Sequence, residues 1–197
     1  TCDNLDNVYL YGWYTGTSTF GENTSVVTHT ARGENDSFIA KYDPNGSLVW
    51  AKTIGSIYTD YQGGIAFSPS ANCLYICGSY KGTMTFGPGL GTNPLASVSA
   101  TTSYFNGFVA KYDLNGNVQW SVRQGSSTSD HHYTNDLAID ASGNPYITGT
   151  TQADSRFYTA NSADYLYMRA VHYSDPFIAK YNTAGALQWS ILATDGY

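Results

Sequence analysis

The stretch Asp36-Ser-Phe-Ile-Ala-Lys-Tyr-Asp-Pro-Asn-Gly-Ser-Leu-Val-Trp50 decides the fold, because the chain repeats it. Its centre, Phe38-Ile-Ala-Lys-Tyr-Asp43, returns as Phe108-Val-Ala-Lys-Tyr-Asp113 and Phe177-Ile-Ala-Lys-Tyr-Asn182, starting 70 and 69 residues apart. Each copy runs into a turn and then a tryptophan: Asp43-Pro-Asn-Gly46 to Trp50, Asp113-Leu-Asn-Gly116 to Trp120, Asn182-Thr-Ala-Gly185 to Trp189. Phe38, Ala40 and Tyr42 fall on one face of a strand, Ile39 and Lys41 on the other. Both faces are largely apolar, as a sheet held between two neighbours requires. The Asp-x-Asn-Gly element is a hairpin turn in which glycine takes the positive φ.

Further landmarks repeat around this core. Asn7-Val-Tyr-Leu-Tyr-Gly12, Cys73-Leu-Tyr-Ile-Cys-Gly78 and Asn144-Pro-Tyr-Ile-Thr-Gly149 form one set; Ile65-Ala-Phe67 and Leu137-Ala-Ile139 form another. Thr19-Phe20-Gly21 and Thr85-Phe86-Gly87 form a third. Each unit therefore holds about four antiparallel strands, with Ser/Thr/Gly-rich stretches at 13–37, 79–106 and 150–175 between the second and third. Alternations at 27–31 and 96–100 predict extra strand inside those stretches, and no segment carries a 3.6-residue period. The expectation is an all-β chain of β-propeller-type blades. It is one repeat array over 1–197, with units at approximately 1–60, 61–130 and 131–197.

The stretch from Asp36 to Trp50, with the Ile-Ala and Asn-x-Tyr-x-x-Gly landmarks, resembles the bacterial β-propeller repeat called the SBBP repeat, in three tandem copies. The resemblance implies a propeller fold and a large secreted or cell-surface bacterial protein, and it implies no particular chemistry. Residues 153–174 depart from the pattern: they lack the Phe-Gly landmark and are rich in tyrosine.

Propellers close with four to eight blades. Three blades leave two broad apolar faces uncovered, so closure or continuation by other copies or by further sequence is expected. The chain opens at Thr1 without Met or leader, which reads as a processed chain or an excised piece. Of its 197 residues 42% are hydrophobic and only 12% charged, with a net charge of −6, so the polar surface is mostly neutral. Nine Lys and Arg, scattered, make no basic face for nucleic acid. No apolar run reaches the length of a membrane span.

Candidate sites are few. Lys41, Lys111 and Lys180 are three of five lysines and occupy one repeat position, where pairing with an acid or snorkelling between blades is the simple account. Asp130-His131-His132-Tyr133 is the one dense titratable run, and His29 or His172 would be needed to complete a metal site. Adjacent histidines in a strand point apart, so no metal and no cofactor is expected. The Asp43–Ser47 turn is too short for a Ca²⁺ loop. Asn23, Asn35 and Asn45 open Asn-x-Ser/Thr triplets, a weak glycosylation signal. A strand puts Cys73 and Cys77 about 13 Å apart, so a disulfide would join Cys2 to one of them. Trp50, Trp120 and Trp189 read as core. Trp13, Tyr14, Tyr58, Tyr61, Tyr104, Tyr158, Tyr165 and the tyrosines up to Tyr173 lie outside the core motifs and read as a ligand or partner surface.

The function expected from these features is structural: an extracellular, non-enzymatic scaffold whose partners are other copies of itself, assembling into a surface array or filament. The alternative is a lectin-like or adhesin module binding glycans or surface proteins through loop aromatics. A propeller-type lyase or hydrolase ranks third, since no catalytic motif is present.

Overall fold

The computed structural model describes residues 1–22, 25–87, 94–98, 102–127, 130–160, 163–170 and 174–193, and these form strands and turns with no helix. The first repeat contains β1 (Val8–Tyr14), a hairpin of β2 (Thr17–Phe20) and β3 (Val27–Thr30), then β4 (Asp36–Tyr42) and β5 (Leu48–Gly55). The second contains β6 (Tyr61–Ser68), β7 (Cys73–Tyr80), β8 (Thr83–Phe86), β9 (Leu95–Ala96), β10 (Asn106–Tyr112) and β11 (Val118–Gly125). The third contains β12 (His132–Ile139), β13 (Pro145–Thr151), β14 (Ser155–Tyr158), β15 (Tyr165–Met168), β16 (Asp175–Tyr181) and β17 (Leu187–Leu192). The fold is all-β, of propeller-type repeats.

Three antiparallel sheets result, ordered β1-β4-β5-β8-β9, β6-β7-β10-β11-β14-β15 and β12-β13-β16-β17, with β2-β3 as a separate pair. The four strands expected per unit are present in the second and third repeats; in the first, the counterpart of β6 and β12 is the isolated Cys2–Val8 bridge. One feature departs from the expectation of self-contained units. The outer strands β8 and β9 leave their own repeat and edge the first sheet, pairing Phe86 with Ile54 and Thr85 with Gly55. In the same way β14 edges the second sheet, pairing Phe157 with Gln124 and Arg156 with Gly125.

The turns follow one design. The Asp43 Oδ1 accepts the backbone N–H groups of Asn45 (2.9 Å) and Ser47 (2.8 Å), and Gly46 sits at φ 81°. Asp113 and Asn182 repeat the arrangement with Gly116 and Gly185 at φ 80° and 81°. The strand that precedes each turn ends in a bulge at the same place, between Lys and Tyr.

The sheets stack face to face. Ile39, Ile54 and Tyr9 of the first meet Leu74, Ile76, Phe108, Ala110 and Tyr112 of the second. Cys73, Tyr75, Cys77, Val109 and Trp120 on its other face meet Ile147, Phe177, Ala179 and Tyr181 of the third. Burying each such aliphatic or aromatic side chain contributes about 1.5–3 kcal/mol. Glycines let the inner strands converge. A Cβ on Gly63 would lie 2.8 Å from Cys77 Sγ and 2.9 Å from two backbone oxygens of β12.

Two contacts recur at both interfaces. The Trp50 indole Nε1–H donates to the Leu114 carbonyl (3.1 Å), and Trp120 donates to the equivalent Thr183 carbonyl (3.2 Å). Each ring also lies on the turn glycine of the next sheet. A Cβ on Gly116 would come 3.1 Å from Trp50, and one on Gly185 would come 2.9 Å from Trp120.

Candidate functional site

The end faces of the stack are the most unusual surfaces of the molecule. Ile178 is 40% exposed, although its counterparts Ile39 and Val109 are fully buried. Leu10, on the opposite end, is 49% exposed against 0% for Ile76. Val8, Trp189 and Ile191 follow the same rule: each is exposed where its counterpart in the middle sheet is buried. The expectation that the three repeat-position tryptophans are all core thus holds for Trp120, is half met by Trp50, and fails for Trp189, which no sheet of the described residues covers. On the first sheet the β2–β3 hairpin covers part of the outer face, with Phe20 4.7 Å from Phe38 and His29 Nε2 3.1 Å from the Ala51 carbonyl.

The loop aromatics divide. Tyr61, at the start of β6, is exposed and stacks on Phe105 at 4.8 Å. Phe105 touches His131 (5.5 Å) and Tyr133 (5.3 Å), and Tyr104 meets His131 edge-on at 5.3 Å. The Lys81 ammonium lies 4.4 Å above the Phe105 ring. Together they make an aromatic rim where the inner strands β6 and β12 begin. Trp13 is exposed on β1. Tyr14 is buried, its hydroxyl 2.7 Å from Thr53 Oγ1, so it belongs to the core and not to a ligand surface. Tyr158 is buried as well, beneath the Arg123 guanidinium (4.6 Å) and beside exposed Tyr165 (5.3 Å). Tyr58 is half-buried, and Tyr173 lies outside the described residues. Phe105 and Lys81 escape a reading by motif. The signal for Phe105 is that its counterparts, Asn35 and Ser174, are polar.

The titratable run separates its two histidines. His131 Nδ1 accepts the Phe105 N–H at 3.2 Å, and burial beside Lys81 lowers its pKa. His132 turns inward: Nδ1 lies 2.7 Å from Thr151 Oγ1 and 2.8 Å from Ser155 Oγ, while Nε2 is buried without a hydrogen-bond partner among the described residues. Burial holds the His132 pKa down to about 4, so the ring is neutral at pH 7. This Ser–His contact is sealed from solvent. Among the described residues no three of His, Cys, Asp and Glu converge as metal ligands; His29 is on β3, against the first sheet, and His172 is outside the described residues.

The repeated lysines act structurally. Lys41 lies 3.9 Å from Asp3, and Lys180 lies 3.1 Å from Asp140. The second repeat has Ser68 in place of that acid, and Lys111 donates instead to the Thr183 carbonyl at 3.0 Å. Each ammonium also sits over a tyrosine ring, Tyr9, Tyr146 or Tyr75.

All three cysteines are free thiols, which replaces the anticipated bridge from Cys2. Cys2 is exposed beside β1, whereas Cys73 and Cys77 are enclosed between the second and third sheets. Asn45 is exposed in its turn, Asn35 is half-buried with its carbonyl accepting the Asp60 N–H (3.1 Å), and Asn23 lies outside the described residues. No helix among the described residues is long and apolar enough to cross a membrane.

No protein-family model matches the chain. It is 28% identical over 159 residues to an uncharacterized WD repeat-containing protein of Acanthamoeba polyphaga mimivirus, covering 80% of this chain and 11% of that protein. It is 29% identical over 132 residues to the regulatory protein FlaEY of Caulobacter vibrioides, covering 66% of this chain and 13% of that protein. The chain thus spans only a small part of the relatives it matches. With the sheets above, these likenesses make it a repeat-based, β-propeller-like protein.

Proposed function

We propose that this chain is a non-enzymatic scaffold of SBBP-type propeller repeats, acting outside the cell or at its surface, that self-associates into a larger assembly or filament. The observation that carries the reading is the matched exposure of the end faces. Residues such as Ile178 and Leu10 are apolar at positions that the interior interfaces bury completely. Monomeric soluble proteins rarely expose contiguous apolar patches of this kind. The neutral polar loops and the low charge fit a surface material. The assignment to the SBBP type draws on the fit of Asp36–Trp50 to that repeat. Sedimentation velocity and electron microscopy of the purified chain test the reading: assemblies larger than one chain support it, and dispersed single chains at high concentration refute it.

The aromatic rim favours a second reading, a glycan-binding module. Tyr61 stacks on Phe105 and is itself exposed, and exposed aromatic rings are what sugar rings pack against. A glycan array probed with the labelled chain tests it; silence across the array ends this reading without touching the first.

A further inference from the structure

The two interior interfaces share a lock of two parts, and each end of the stack carries one half of it. The first part is the tryptophan seat. Trp50 and Trp120 each lie on the turn glycine of the following sheet and donate to the carbonyl two residues before that glycine, at Leu114 and Thr183. No sheet of the described residues covers Trp189, whose ring meets Tyr146 at 5.8 Å. At the other end, Gly46 takes the same turn conformation (φ 81°) as Gly116 and Gly185, yet nothing lies within 4 Å of where its Cβ would be. Pro44 stands where Leu114 and Thr183 stand, and its carbonyl is the matching acceptor.

The second part is the added outer strand. Phe86 and Phe157 each pack on the phenylalanine of their own sheet, Phe108 at 5.7 Å and Phe177 at 5.0 Å, while their strands pair with the preceding sheet. Phe20 packs on Phe38 in the same manner. Its strand β2 pairs with β3 alone among the described residues, so its other edge is unused. Among the described residues no strand pairs with the outer edge of β17, although its Leu187 N–H donates to Thr159 Oγ1 (3.3 Å). By repeat spacing, Ala193 on that edge corresponds to Ile54 and Gln124, the partners of Phe86 and Phe157.

We propose that a second copy of this chain docks head to tail, with Trp189 of one copy seated on Gly46 and hydrogen-bonded to the Pro44 carbonyl of the next, whose strand β2 adds to β17 with Phe20 opposite Ala193. The inference rests on the self-association in the preceding section and specifies its contact. The occupant is a second copy because the interior of this chain twice shows what covers such a face: the opposite face of the same repeat. Unlike faces in contact close into a ring or extend into a filament, according to the rotation between copies.

Two variants test it in the full chain. Trp189→Ala empties the seat at the tail, and Leu10→Glu places a charge on the head. Sedimentation velocity should show the wild type assembled and each variant alone as single chains. A 1:1 mixture should give a dimer and nothing larger, since it retains one sound contact. Circular dichroism verifies that each variant folds; if Trp189→Ala does not, Ile191→Lys on the same exposed face replaces it. Assembly of the tail variants at the wild-type level would overturn the contact while leaving self-association standing. Failure of the mixture to pair would do the same. A wild type that stays single overturns both.

Discussion

The carboxyl of Asp60 receives both the backbone N–H (2.6 Å) and the hydroxyl (3.0 Å) of Ser56 in a site closed to solvent. Burial is the larger influence and pushes its pKa up to about 8, against 3.8 for the ordinary group. The folded state therefore holds a proton that the unfolded chain releases. The associated stability is complete below pH 4 and is lost as pH rises towards and through 8. Asp60→Asn, which carries no charge at any pH, should flatten this loss. Thermal melts of wild type and variant from pH 4 to pH 9 should diverge, with the variant relatively more stable at the alkaline end.

Gly143 tests the turn design at an interface. It lies at φ 83°, a Cβ there would fall 2.9 Å from two serine hydroxyls, and its carbonyl accepts the Tyr75 hydroxyl at 3.1 Å. Gly143→Ala should cost about 1–3 kcal/mol by urea denaturation. Tyr75→Phe should cost about 0.5–1.5 kcal/mol, the usual net worth of one hydrogen bond.

Trp120 and Trp189 share one repeat position but not one environment. Trp120→Ala empties an enclosed seat and should cost about 3–5 kcal/mol. Trp189→Ala, measured on dispersed single chains, should cost roughly half of that or less, since part of the ring already meets water. Equal costs would mean that the third sheet is covered in the single chain.

Thiol accessibility gives a check on the stacking. Cys2 is exposed, while burial raises the pKa of Cys73 and lifts that of Cys77 to about 12. An aromatic disulfide reagent should titrate one thiol in the native chain and all three after denaturation. Rapid native labelling of Cys77 would show that the second and third sheets are not in contact.

The strands and turns were legible because each is a local pattern: alternation across Phe38–Tyr42, an Asp or Asn two and four residues before the N–H groups it caps, a glycine where φ is positive. The transfer of β8 and β14 to the preceding sheet was not. The pairing of Phe86 with Ile54 joins residues of different repeats and leaves no periodic trace in either. Tyr14 reads as surface in the sequence for a related reason. A tyrosine among serines and threonines looks solvent-facing until a hydroxyl such as that of Thr53 is seen to meet it. The aromatic rim was half legible: Tyr61 and Tyr104 stood out, whereas Phe105 and Lys81 join them only through the packing of β6 beside β12.

The loan of outer strands from each repeat to its predecessor bears on how the molecule resists tension. Peeling away the third repeat also strips the margin of the second, as lifting one roof shingle uncovers the nails of the row beneath.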